Sequence, residues 1–195
     1  SFENNRIYIS RNDKLSRIGI YTANSNYIVS NNCSNPNQIP CYNNPSKFVN
    51  LYSAIESYGN GSKGVISIEN SEFNSYKGAF LQGTDGTLIR HNTFTITHDP
   101  IIPLSTNYPY GAYLDKCQRF NTEDNQFTGT TNSTNVINGG AAGLVIRNTG
   151  ANNNEFYRNY FDNLKVASQA LSENRDAGIN GLVKGLTFIC HTCPK

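Results

Sequence analysis

The chain of 195 residues is 37% apolar and only 15% charged, with 16 Lys and Arg against 14 Asp and Glu, a net charge of +2, five Cys and neither Met nor Trp. That is one domain with material for its own core, and its charge is too weak and dispersed to grip a phosphate backbone, so no nucleic acid is expected as a partner. No stretch nears the ~18 uninterrupted apolar residues of a membrane span. A start at Ser1 without Met, and an end at Lys195 that cuts a repeating pattern short, lead us to expect a segment of a longer protein.

Asn supplies 30 of the residues. Asn and Gly tolerate left-handed backbone and tight turns, so such a chain turns often. Disorder does not follow. The Asn residues alternate with β-branched runs such as Val65-Ile66-Ser67-Ile68, Thr87-Leu88-Ile89 and Gly143-Leu144-Val145-Ile146, too short for helices and readable as strands. Residues 1–47 read as an irregular first coil and loop. In that stretch Cys33 and Cys41 form a candidate disulfide, although Asn31-Asn32-Cys33 also reads as a repeat corner.

Residues 48–195 read as regular coils of the same single domain. Gly78-Ala79-Phe80-Leu81 leads to Asn92-Thr93-Phe94, and Gly111-Ala112-Tyr113-Leu114 leads to Asn125-Gln126-Phe127, both in 16 steps from Gly to Phe. Gly143-Leu144-Val145-Ile146 reaches Asn159-Tyr160-Phe161 in 18 steps, the excess falling in an Asn tract. Markers at Phe48, Phe73, Phe94, Phe127 and Phe161 set a minimal unit of about two dozen residues. Loop insertions follow Phe94 and Phe127, where Pro100, Pro103 and Pro109 or Thr131-Asn132-Ser133-Thr134 mark irregular chain. A unit this small buries its apolar face only against copies of itself, which predicts an all-β, right-handed parallel β-helix with Asn-rich turns. In it Phe73, Phe94, Phe127 and Phe161 form an aromatic stack, and Asn92, Asn125 and Asn159 a ladder of amide hydrogen bonds. Leucine-rich repeats would need a Leu-x-x-Leu-x-Leu frame, which is missing.

The run from Gly111 to Cys117, the Asn-x-Phe corners and the run from Asn153 to Leu164 resemble the right-handed β-helix repeat regions of large secreted Bacteroidota proteins, commonly exported by type IX secretion. The wider pectate-lyase-like superfamily shares that fold, and its enzymes act on acidic polysaccharides. The resemblance implies an extracellular or bacterial cell-surface location; fold alone does not choose a role.

Aligning coils on the corner Asn puts Glu69, His91, Asp124 and Arg158 in one column, with the register of Glu69 open because Asn70-Ser71-Glu72-Phe73 has one residue more than the template; the column is readable as a carbohydrate-binding or acid–base strip, or as a surface ladder of alternating charges. Tyr108 and Tyr110 offer rings for sugar stacking, or for packing a loop onto the flank; Tyr42, Tyr52 and Tyr58 are similar. The column Gln82, Asp115, Arg147 reads as one cross-coil ion pair. Cys190-x-x-Cys193 is half a metal or redox site at most, and alignment makes Cys193 a filler in the Phe column. Neither the paired carboxylates of a glycosidase nor a nucleophile elbow is found. No catalytic residue, cofactor or metal is expected. The expected role is a non-enzymatic structural or adhesive stalk or fibre segment, with polysaccharide, other cell-surface proteins or end-to-end self-association as partners. The alternative is a carbohydrate-active or glycan-binding β-helix.

Overall fold

The structure, a computed structural model, describes residues 2–3, 17–31, 45–61, 64–97, 108–130, 140–176 and 184–189. Every regular element among them is a strand: β1 (Phe2–Glu3), β2 (Ile18–Ala23), β3 (Tyr27–Val29), β4 (Ser46–Tyr58), β5 (Ile66–Glu69), β6 (Ser71–Gln82), β7 (Leu88–Arg90), β8 (Thr93–Ile96), β9 (Tyr110–Asp115), β10 (Asn121–Glu123), β11 (Gln126–Gly129), β12 (Ala142–Arg147), β13 (Asn154–Tyr157), β14 (Tyr160–Asp162), β15 (Val166–Leu171), β16 (Arg175–Asp176) and β17 (Lys184–Ile189). Among the described residues no helix is long and apolar enough to cross a membrane.

The chain visits three strand positions in turn. The first holds β1, the start of β4, the start of β6, β8, β11 and β14; the second holds β2, the end of β4, the end of β6, β9, β12 and β15. Because β4 and β6 run through both positions, these strands form one 10-stranded sheet. The third position holds β3, β5, β7, β10, β13 and β17, and with β16 makes a separate 7-stranded sheet. Among the described residues each pass pairs in parallel with the next, and β16 and β17 alone run antiparallel. The architecture is all-β and parallel, compatible with the expected solenoid. Strands of residues 1–47 take part in it: Phe2 is in register with Phe48, and Ile18 with Ser53.

Identical positions carry identical residues. Phe48, Phe73, Phe94, Phe127 and Phe161 are in register and stack with ring centroids 4.8, 4.5, 4.8 and 5.2 Å apart and planes within 9° of parallel. These are the spacings of adjacent strands, so each ring sits over its predecessor and adds aromatic contact to its burial. In β8 the alternation is plain: Phe94 and Ile96 are buried, Thr93 and Thr95 only partly.

The Phe column dictates the Gly column beside it. A Cβ on Gly111 would run into the Phe127 ring and lie 2.7 Å from the Gly143 carbonyl, and one on Gly143 would lie 2.6 Å from Phe161. The insertions open between β8 and β9 and between β11 and β12, at the corner that β6 crosses without a break and β4 with one irregularity at Val49/Leu51.

Candidate functional site

The corner between third and first positions carries the predicted amide ladder. Asn92 Nδ2 donates to Asn125 Oδ1 at 3.0 Å, and Asn125 Nδ2 to Asn159 Oδ1 at 2.9 Å. The second amide hydrogens serve the carbonyls of Ile68, Ile89 and Thr122, while each Oδ1 also accepts a backbone N–H from the preceding pass. At the top of the column Ser71 stands in place of Asn, its N–H bonded to Asn92 Oδ1 at 3.0 Å. All three Asn side chains are buried and have partners on both amide atoms.

The residue before each ladder position is left-handed: Asn70, His91, Asp124 and Arg158 have φ of 47°, 54°, 52° and 48°. This corrects the expected column. Glu69 does not share it, because Asn70 is the extra residue; Glu69 lies one place earlier, in register with Arg90 and Glu123. Glu69 is instead paired with Arg90 at 2.7 Å and bonded by Ser67. Burial pushes its carboxyl up, but the bonds from Ser67 and Arg90 and the charges of Arg90 and His91 outweigh that and hold it below its ordinary value.

The other three residues do meet. Asp124 Oδ2 lies 2.5 Å from Arg158 Nη2 and 3.5 Å from His91 Nε2, and Arg158 also reaches Glu123 at 3.5 Å. A carboxylate oxygen held between the Arg158 guanidinium and the His91 ring is a clip between passes.

The predicted tyrosines separate. Tyr110 is buried, with Lys77 Nζ 5.6 Å from its ring centroid and Tyr113 edge-on at 5.3 Å, so its ring faces are covered by the protein itself. Burial foremost, then the nearby Glu56, raises its hydroxyl well above the ordinary value. Tyr108 is half-buried and donates to Gln169 Oε1 at 3.3 Å, bracing the chain that enters β9. In the column Gln82, Asp115, Arg147 the hydrogen bond to Tyr113 and then the charges of Tyr113 and Asp115 raise the Arg147 guanidinium above its ordinary value, while the hydrogen bond that Asp115 makes is to Gln82. Asp115 Oδ2 accepts from Gln82 Nε2 at 2.8 Å, and Asp115 Oδ1 is buried without a partner. Cys33, Cys41, Tyr42, Cys190 and Cys193 lie outside the described residues.

A further feature, of whose residues the sequence singled out Tyr58 alone, lies on the outer side of the second position. Tyr21, Tyr58, Phe80 and Tyr113 follow one another across four passes with centroids 5.5, 5.6 and 5.5 Å apart, tilted by 43°, 53° and 49°. Tyr21 is 63% exposed and the other three partly so. Three of them occupy one register place, two after a Gly: Gly19-Ile20-Tyr21, Gly78-Ala79-Phe80 and Gly111-Ala112-Tyr113. Tyr58 enters diagonally from the neighbouring column. Glu56, Gln82 and Asp115 flank the rings, and Lys77 lies 4.6 Å from the nearby Tyr52 centroid. The result is an aromatic ridge with a polar border, on the flank beside the insertion corner.

Among known proteins, no family model, no curated protein and no solved structure matches the chain.

Proposed function

We propose that the chain is a right-handed parallel β-helix and that it works as a structural and adhesive segment of an exported bacterial cell-surface protein, contacting polysaccharide without turning it over. The parallel register of successive passes and the crossover rule for parallel strands support the winding and its hand. The Phe stack and Asn ladder make each pass support the next, as a load-bearing repeat requires. The observation that carries the adhesive role is the ridge from Tyr21 to Tyr113: four rings held at fixed spacing, presenting apolar faces with hydrogen-bonding side chains beside them. Phe80 and Tyr113 pack in part against Tyr110, Ala142 and Val145, and the ring faces that they, Tyr58 and the exposed Tyr21 leave open are what a ligand would meet.

Affinity electrophoresis through gels containing neutral and acidic polysaccharides tests the reading. We expect retardation in at least one gel and its loss in Phe80→Ser and Tyr113→Ser. Retardation untouched by either change would refute the ridge as the contact. Release of reducing ends or unsaturated products from an acidic polysaccharide, abolished by His91→Ala or Asp124→Ala, would overturn the non-catalytic reading in favour of a carbohydrate-active enzyme.

A further inference from the structure

Two hollows of about 270 and 250 Å³ adjoin at the corner between the second and third strand positions, across the first four passes, and share Asn26, Gly64 and Asp85 in their walls. The larger is bordered by Thr22, Asn24 and Asn60, with Tyr58 joining it to the aromatic ridge; Arg119 closes the smaller. Asp85 is the telling residue. Its side chain is only 4% exposed, Oδ2 is paired with Arg119, and Oδ1 has no hydrogen-bond donor. A buried carboxylate oxygen left without a donor is costly, and folded proteins seldom keep one unless something else supplies the proton.

The chemistry of the walls selects the supplier. Asn24 and Asn26 each present a donor and an acceptor, with no intramolecular bond to either side chain among the described residues. Among the described residues that line the cleft Arg119 is the one cation, and it is already engaged by Asp85, whose charge disfavours a phosphate or a carboxylate beside it. Vicinal hydroxyls, each donor and acceptor at once, fit paired amides and a carboxylate, and the Tyr58 ring offers a face for ring C–H groups. From these observations we infer that the cleft is a binding site for one neutral sugar unit, with a ligand hydroxyl donating to Asp85. The site extends the adhesive reading but does not depend on the ridge, which it meets only at Tyr58.

The test is a titration of the full chain, followed by NMR at the backbone and side-chain amides, with millimolar methyl glucoside, methyl galactoside, methyl mannoside and N-acetylglucosamine, and with glucuronate as the charged counterpart. We expect at least one neutral sugar to shift the signals of Asn24, Asn26 and Gly64, and glucuronate to bind about tenfold more weakly. Asp85→Asn should weaken the neutral sugar by about tenfold or more, since a hydrogen bond to a charged group is lost. Asn26→Ala, at an exposed position where folding is not at stake, should weaken it by a few-fold. Phe80→Ser, outside the cleft, should leave these shifts in place. No neutral sugar shifting the cleft signals, or shifts that survive both Asp85→Asn and Asn26→Ala unchanged, would overturn the inference. Shifts confined to Tyr21 and Tyr113 and lost in Phe80→Ser would overturn it too, while sparing the ridge.

Discussion

Replacing Asn125 by Ala tests the amide ladder where its consequences are largest. Asn125 is 1% exposed, and its Oδ1 receives the Asn92 N–H at 3.1 Å and one Asn92 amide hydrogen at 3.0 Å. Its Nδ2 serves the Ile89 carbonyl at 2.9 Å and Asn159 Oδ1 at 2.9 Å. Truncation leaves two buried donors on Asn92 without acceptors, at ~1–3 kcal/mol each, and the Ile89 carbonyl under-served; Asn159 Oδ1 keeps the backbone N–H of residue 125. The sum is ~2–6 kcal/mol, toward the lower end if a water enters the vacated space. Against a total of ~5–15 kcal/mol for an ordinary domain, that is a large fraction. Urea unfolding followed by far-ultraviolet circular dichroism and tyrosine fluorescence, usable because the chain has no Trp, reads the loss as a shift in midpoint. Asn74→Ala, an exposed strand position, serves as the control and should stay within ~0.5 kcal/mol. If Asn125→Ala cost no more than Asn74→Ala, the ladder would be an accompaniment of the fold and not a support for it.

Gly111→Ala should destabilise by ~1–3 kcal/mol, because its Cβ meets the Phe127 ring and the Gly143 carbonyl, neither free to move without disturbing a neighbouring pass. Thermal unfolding that leaves Tm unchanged would contradict the close approach. Glu69 gives a pH signature: since its native carboxyl titrates below the ordinary value, its contribution is complete above the unfolded value of ~4.3 and is lost as pH falls through the lower native value. The stability difference between the native chain and Glu69→Gln should therefore shrink toward zero on acidification, and a difference constant from neutral to acid pH would refute the assignment. Cys117 is fully buried and bonded to the Leu81 carbonyl, and burial foremost pushes its thiol up to about 11. Iodoacetamide with site-resolved mass spectrometry should label it only in denaturant; labelling of the native chain would show that it opens.

The interior was legible because it repeats. A Phe stacked on a Phe and an Asn bonded to an Asn leave the same residue at the same place in each pass, so periodicity alone put the markers from Phe48 to Phe161 in order. The start of the chain was harder, since Phe2 precedes Phe48 by a long interval that no period predicts, although its backbone holds the same place. Glu69 was misplaced by one inserted residue: Asn70 takes the left-handed corner, and the Asn expected two places before Phe73 is Ser71, which shares the column through its backbone only. The ridge was missed for a different reason. Phe80 and Tyr113 sit inside runs that read as uniformly apolar, and the alternation that turns Ala79 and Leu81 inward and Phe80 outward shows only when the burial of each is known. The signal was an aromatic two residues after Gly in successive units.

Inward and outward columns answer to different constraints, and that difference bears on the proposed contact surface. Inward places are tied to their vertical neighbours: Phe above Phe excludes a side chain on the adjoining Gly, and Asn above Asn excludes any group that lacks both donor and acceptor. Outward places are tied less tightly, by side-chain pairs such as Gln82 with Asp115 and Arg158 with Asp124, and part of the outward face of the second position is itself covered, where Phe80 and Tyr113 pack against Tyr110, Ala142 and Val145. In the register of Tyr21, Phe80 and Tyr113, the later passes carry Val145, apolar and fully buried, and then Gln169, so the rings end at Tyr113. The polar cleft spans the same early passes and touches the ridge at Tyr58. Because the rings follow one another from pass to pass and not along a strand, a chain molecule stacked on them must run across the strands, and such a path leads from Tyr113 over Phe80 and Tyr58 to the mouth of the cleft.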